Sequence, residues 1–528
     1  MKNKKPKKII VLLLIVSLLA SFSGCEKGVE FFVSVGETKY RAEHTIHLPM
    51  EKVRTLNPMI SKDEDTYFLS KLLYDGLFEL DGKLAPQKKL ADSYAYSNDK
   101  LSLVIELKQG VKWHDGEEFT AEDVKFSIDT YCTLSYSNET IYTPYVANIR
   151  YVTYNRADPY KVTVVFRNAD NVGAENLIFP ILPAHQFRRV PIRRNTEAFI
   201  PIGTGPYKVS VYNNLSKLSL EANPGYFGGA VPKNTLEFTI FPKKKDALNL
   251  VDIENISLLI NTGIDRDTLI SNMNVKTVNF VSNKAEFIAF NMASEILENK
   301  KMRQAICYAV DSKDILESAY LKSGVISDTI YYPYYFGNQN EEEPYPFDLD
   351  KAAALIKESW LTENVSLGIL VNSDDGARMA AAQIIKNALD KLPLDSYIIY
   401  CDREEYLARI AEGKYDIYLG GYTFNERYDL RGILHSKYSN KEGYFNQTLD
   451  GLLDEMQSGV TNERKAELFS EVNSILKDEI PYYCILYKTY GAIFTSSLVG
   501  EVEPLFNNYY RDCGEWARMY EIPAVVAE

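Results

Sequence analysis

Cysteine and histidine are scarce in this chain, six and five among 528 residues. After Cys25 the cysteines stand far apart, at Cys132, Cys307, Cys401, Cys484 and Cys513, with no CxxC and no Cys/His cluster. That spacing excludes a structural zinc site. The odd number beyond Cys25 leaves one disulfide open, while Cys132 and Cys307 fall in helical patterns and read as core thiols. An excess of positive charge is missing too: 59 Lys and Arg face 72 Asp and Glu, for a net charge of -13. A nucleic-acid partner, which needs basic patches, is therefore excluded. There is no internal repeat, no low-complexity segment, and no apolar run as long as the ~20 residues that a membrane-spanning helix needs.

What is present starts with MKNKKPKK, then an apolar run from Ile9 to Ala20 interrupted by Ser17, then Ser-Phe-Ser-Gly and Cys25. This is the order of a secretory leader: basic, apolar, small residues before a cleavage point. The cysteine at its end resembles the lipobox of bacterial lipoproteins, with Ser23 and Gly24 fitting and Phe22 in place of the usual leucine. The resemblance implies cleavage before Cys25, a palmitate-type lipid on its thiol, and tethering to the outer face of the cell membrane. Without the five lysines of residues 1–24 the net charge falls from -13 to -18. The remaining length is too great for one core and predicts two or three subdomains. Tyrosine, at 38 residues, outnumbers phenylalanine, at 24, which suits polar clefts lined by flat amphipathic rings.

The first half reads as strand-rich. Residues 101–107 alternate as a strand, as do 161–166 and 217–221. Thr120 with Asp123 predicts a capping box, and Val124, Ile128 and Tyr131 a helical stripe behind it. The second half alternates. A strand over 285–290 precedes helices over 299–310, from Asp311, and over 349–360, the last with Leu349, Ala353, Ile356 and Trp360 on one face. Strands over 365–371, 396–401 and 415–420 are separated by helices over 377–392 and 403–412. A helix over 462–477 and an extended segment over 482–495 follow. Such alternation predicts an α/β lobe with crossover connections.

Several blocks together resemble the extracellular solute-binding proteins of ABC transporters, peptide/nickel class, that is, the oligopeptide- and dipeptide-binding family. They are Leu56-Asn57-Pro58, Leu73-Tyr74-Asp75-Gly76-Leu77, Leu84-Ala85-Pro86 with Leu90-Ala91, the long LKQGVKWHDGEEFTAEDVKF from Leu107 to Phe126, PIGTGPY from Pro201, ANPGYF from Ala222, and Phe290-Asn291 with Met302 to Ile306. The resemblance implies an α/β, two-lobed, periplasmic-binding-protein-like fold with mixed sheets, a hinge, and an extra subdomain in the first lobe. The expected division is a leader over 1–24, a tether over 25–40, a first lobe over 41–285 with an inserted subdomain at about 82–200, a second lobe over 286–488, and a return over 489–528. It further implies a monomer that carries a small solute, a peptide first of all, to a membrane permease driven by an internal ATPase. No cofactor and no enzymatic activity are expected. Nickel chelates, oligosaccharides and signalling peptides stand as alternative ligands, and a surface-anchored hydrolase as a remote one.

The segment Gly420 to Leu434, GGYTFNERYDLRGIL, follows a buried-looking strand, where α/β folds place ligand loops. It resembles the family's cleft segment, which in peptide binders carries an aspartate for the peptide amine. Asn425 stands at the matching position, beside Glu426, and the usual Asp-Pro is replaced near Tyr428-Asp429. The resemblance makes Asn57, Tyr422, Thr423, Asn425, Glu426, Arg427 and Asp429 the candidate ligand contacts. Glu426 or Asp429 could capture an amine. Arg427 and Arg431 could hold a carboxylate bidentately, although surface salt bridges are the expected role. His114-Asp115 reads as a turn, not a catalytic pair, and Ser97 to Lys100 lacks the helix start that a serine-lysine enzyme requires. Gly203-Thr204-Gly205 lacks the third glycine of a dinucleotide loop.

Overall fold

The capping box at Thr120 forms as read. The Thr120 hydroxyl accepts from the Glu122 amide at 3.3 Å, and the Asp123 carboxylate accepts from the Thr120 amide at 2.9 Å. Such a cap stabilises a helix start by about 1 kcal/mol. The helix Ala121–Tyr136 lays Val124, Ile128 and Tyr131, each fully buried, on an antiparallel sheet of Ala91–Tyr96, Ser102–Leu107, Asp158–Phe166 and Ile149–Asn155. Burying each aliphatic side chain of that stripe contributes roughly 1.5–3 kcal/mol. The computed structural model describes residues 32–522 except 36–37, 189–191, 193–198, 254, 272, 328, 339–343, 360–365 and 439–441. Cys25, the leader and Trp360 therefore lie outside the described residues.

A second sheet of the first half orders Tyr207–Asn213, Lys217–Ala222, Thr235–Phe241 and Thr45–Glu51, the last pair parallel. Both sheets drain into one continuous apolar core, which also takes in Tyr490, Phe494, Tyr509 and Trp516 from the end of the chain. The segment expected as a tether over 25–40 instead contains the strand Phe32–Val35 and the start of Thr38–Glu43, which pairs with it and with Ala517–Ile522.

The second half is built on a seven-stranded sheet. Its path runs Leu258–Asn261, Tyr482–Thr495, Val275–Phe290, Ile417–Thr423, Ser366–Asn372, Asp395–Cys401, with Gly324–Ile326 also on Tyr482–Thr495. The strands Ser366–Asn372, Asp395–Cys401 and Ile417–Thr423 are parallel, joined through the helices Gly376–Leu389 and Arg403–Ala411. Apolar cores cover both faces of this sheet. The strand expected over 285–290 begins ten residues earlier, at Val275. Its pairing with Tyr482–Thr495 slips register between Val281 and Ala285. At that slip the two strands pass from the first core, which holds Phe280 and Tyr490, to the second, which holds Ile288 and Leu486.

The sequence blocks of the first half converge on one buried carboxylate, Asp75. Thr204 donates its hydroxyl to Asp75 Oδ2 at 2.8 Å, Tyr226 donates to Oδ1 at 3.3 Å, and Lys89 Nζ stands 3.9 Å away. The Ile181 amide donates to the Asp75 carbonyl at 3.0 Å. Gly203 and Gly205 lie hard against the preceding helix: a Cβ on Gly203 would stand 1.7 Å from the Leu73 carbonyl oxygen. Their spacing therefore serves close backbone approach. His114 closes the same knot, its Nδ1 accepting from the Gly203 amide and its Nε2 donating to the Gly205 carbonyl, both at 3.1 Å. All five cysteines of the described residues, Cys132, Cys307, Cys401, Cys484 and Cys513, are free thiols.

Burial drives the His114 imidazole down to about 4. An unfolded chain takes up that proton near 6.5, so the stability tied to the neutral ring is complete above about 6.5 and is lost as the pH falls toward about 4. Urea midpoints should drop over that window, and less steeply in His114→Gln, which keeps one donor. Parallel slopes in the two proteins would clear His114 of any part in acid lability.

Candidate functional site

A cavity of about 410 Å³ opens between the two halves. Tyr67, Tyr142 and Tyr145 wall it from the first half and Thr423, Asn425 and Glu426 from the second; Asn283 and Lys284 of the strand Val275–Phe290, with Tyr490 and Tyr509, complete it. Thr423 ends the parallel-paired strand Ile417–Thr423, so the loop that follows is delivered to the carboxyl end of the sheet. There the Phe424 amide donates to the Asn283 carbonyl at 2.9 Å, and the Asn425 side chain accepts from the Arg427 amide at 3.0 Å. Tyr428 then takes a left-handed backbone, φ +48°, and its ring stacks on Phe424 at 4.8 Å.

This turn splits the candidate residues into two groups. Thr423 and Asn425 are exposed and line the cavity. Glu426 lines it as well but is buried at 8 % exposure. Tyr67 donates a short hydrogen bond to its Oε1, Tyr145 donates to Oε2 at 3.4 Å, and Lys71 Nζ lies 3.6 Å from Oε1. All three partners come from the first half. Burial, and then the Glu426 charge, push the Tyr67 and Tyr145 phenols well above the usual tyrosine range, so both stay protonated donors.

Arg427, Asp429 and Arg431 form the second group, and the expected surface salt bridges are instead buried. Arg427 and Arg431 are 7 % and 4 % exposed. Arg431 grips Asp429 bidentately at 2.9 and 2.8 Å and reaches Asp170. Arg427 bonds Asn171 at 2.8 Å, the Pro144 carbonyl, and Asp429 at 3.2 Å. Burial pushes the Asp429 carboxyl up, but the two arginines outweigh it and hold it below the usual range. Both Asp429 oxygens are thus committed within the protein. A polar loop reads as solvated when its partners lie hundreds of positions away, and here they come from the opposite half.

Asn57 is fully buried, its side chain accepting from the Met59 amide at 3.0 Å, and it is not among the residues lining this cavity. Tyr422 is 44 % exposed, with its ring 4.8 Å from Phe424. Tyr67, Lys71 and Tyr145 belong to no motif of the sequence that points to a ligand. Tyr67 and Lys71 stand one turn apart on the helix Glu64–Leu73, a pair that shares a helix face and marks it as one that looks onto something polar.

The halves meet again beside Asp170. The Val172 amide donates to the Gln457 carbonyl at 3.1 Å. Lys465, on the helix Asn462–Glu479, pairs with Glu175 where the two side chains are 5 % and 7 % exposed. Removing one partner of such a pair strands a buried charge and costs about 3–5 kcal/mol. Lys465→Met should therefore lower stability in urea by about 3 kcal/mol. Adding Glu175→Gln should recover more than half of that loss, and an equal loss in the double variant would assign the effect to packing alone.

Comparison with known proteins agrees with this architecture. Residues 85–444 match the family model of bacterial extracellular solute-binding proteins, family 5. The chain is 23 % identical over 505 residues to the dipeptide-binding protein of Escherichia coli K12, covering 86 % of this chain and 91 % of that protein. It is 23 % identical over 540 residues to the oligopeptide-binding protein AppA of Bacillus subtilis, covering 94 % and 96 %. A crystal structure described as a nickel ABC transporter from Bacillus halodurans superposes with a TM-score of 0.75 at 17 % identity, covering 90 % of this chain and all of that one. Members of this family bind solutes for ABC importers and are not enzymes. With a two-lobed fold and a cavity walled by both halves, this chain belongs to the bacterial extracellular solute-binding proteins of family 5.

Proposed function

We propose that this protein captures a short peptide in the cavity between its lobes and delivers it, as a lipid-anchored monomer on the outer face of the cell membrane, to an ABC permease. The observation that carries the reading is the cavity itself. Its walls come from both halves, and Tyr67, Tyr142, Tyr145, Thr423, Asn425 and Glu426 line it. Such a surface matches the donors and acceptors of a peptide backbone. The peptide-binding relatives support the same ligand class.

The mechanism follows from the two shared strands. Val275–Phe290 and Tyr482–Thr495 run through the cores of both halves, and the register slip at Val281 and Ala285 supplies a weak point in their ladder. Bending there separates the cavity walls and admits solute. Closure brings Glu426 to Tyr67 and Tyr145, and Arg431 to Asp170. A solute shifts this equilibrium by as much as it prefers the closed form, and the closed form is the one for the permease to recognise. The lipid on Cys25 keeps the carrier beside that permease.

Thermal melts of the purified chain against pools of short peptides, nickel chelates and oligosaccharides test the ligand. A peptide at 100-fold excess over its Kd should stabilise by about 2.7 kcal/mol, or about 3 °C for a protein of this size. A shift with nickel chelates or sugars and none with peptides would replace the ligand class. For the anchor, Cys25→Ser should abolish palmitate labelling and move the protein from the membrane fraction to the medium. Unchanged labelling would remove Cys25 as the attachment point.

A further inference from the structure

Glu426 and its partner Lys71 line different cavities. Glu426 lines the one it shares with Tyr67 and Tyr145. The other is a second space of about 530 Å³, lined by Lys71 and Asp75 among others, and Asn507 borders both. Lys71 reaches Glu426 from that second space. Its ammonium lies 3.6 Å from Glu426 Oε1 and 4.8 Å from the centre of the Tyr67 ring, with the side chain 25 % exposed. The carboxylate is only 9 % exposed and its two phenol donors are neutral, so Lys71 is the cation that balances it.

A buried carboxylate at the edge of a solute cavity would otherwise demand a cation from the solute. We infer that Lys71 is a specificity-determining residue: it fills the cation position at Glu426 in the closed molecule, so the cavity favours solutes that bring no ammonium group to that point. The inference rests on the reading of the cavity as the solute site. A solute with a free amine here must displace Lys71 and leave that ammonium to find new partners. A solute that is amide-capped or uncharged at this end leaves the pair intact and meets the Tyr67 and Tyr145 hydroxyls instead. Lys71 comes from the first half and Glu426 from the second, so the pair forms only on closure. The discrimination therefore acts at the step that traps the solute.

Two measurements test this, one of them independent of any peptide. Lys71→Ala removes three methylenes and the ammonium, the outline of propylammonium. That ion should raise the melting temperature of Lys71→Ala by about 2 °C more than that of the unaltered chain. The gain should vanish in Lys71→Ala/Glu426→Gln, and propanol should not reproduce it. Equal shifts in all three proteins would overturn the inference. In the second measurement, calorimetry compares short peptides with free and with acetylated amino termini. The unaltered chain should prefer the acetylated peptide by about 3-fold or more, and Lys71→Ala or Lys71→Met should prefer the free amine by about 10-fold. Should the alanine variant fold poorly, the methionine variant carries the same expectation. A strong preference for the free amine in the unaltered chain, unchanged in the variants, would also overturn it. Binding of no peptide by any of these proteins would defeat the peptide reading, while the propylammonium result would still decide the role of Lys71.

Discussion

The antiparallel pairing of Val275–Phe290 with Tyr482–Thr495 runs through both cores, and the halves are tied together by its backbone hydrogen bonds. In the first core its side chains are Phe280, Tyr490 and Phe494; in the second they are Ile288, Phe290 and Leu486. Two covalently continuous strands can bend about their common slip without either core giving up its apolar contacts. The proposed opening and closing depends on that separation of duties, since interiors at crystal-like density do not deform gradually. Glu286, in the same strand, shows how firmly the second half is fastened to it. Arg378 holds its carboxylate at 2.7 and 3.1 Å, Lys488 at 2.8 Å and the Tyr320 hydroxyl at 3.1 Å.

The polar contacts between halves complement this. Apolar burial builds each core, but the faces that meet across the cavity carry Glu426, Arg427, Arg431, Asp170, Glu175 and Lys465. Charges taken from water need close, complete partnership, and each of these finds at least one partner in the other half. Closure is thereby specific to one arrangement. A greasy interface would hold many arrangements about equally well.

Local signals in the sequence carried a large part of the fold. The capping box at Thr120, the stripe Val124, Ile128 and Tyr131, and the extended run 482–495 are encoded within short windows and appear where the pattern puts them. The apolar pattern starts the strand from Val275 too late because Ser282-Asn283-Lys284 breaks its alternation, and Asn283 and Lys284 line the cavity, where polar side chains are needed. The site was legible as a loop but not as a set of partners. Tyr67 lies 359 positions from Glu426 and Tyr145 lies 281 from it, and nothing local in GGYTFNERYDL foretells that Arg427 and Arg431 are buried. Long-range polar pairing has no period to detect.

The knot around Asp75 has a consequence for descent. The blocks that make the chain recognisable, from Leu73 to Leu77, at His114, at Gly203 to Gly205 and at Tyr226, spend their side chains on one another, away from the loop at 424–431. Substitutions in that loop leave the knot untouched. A lineage can thus change that loop while its kinship stays plainly readable, and kinship read from the knot reports ancestry rather than the solute carried.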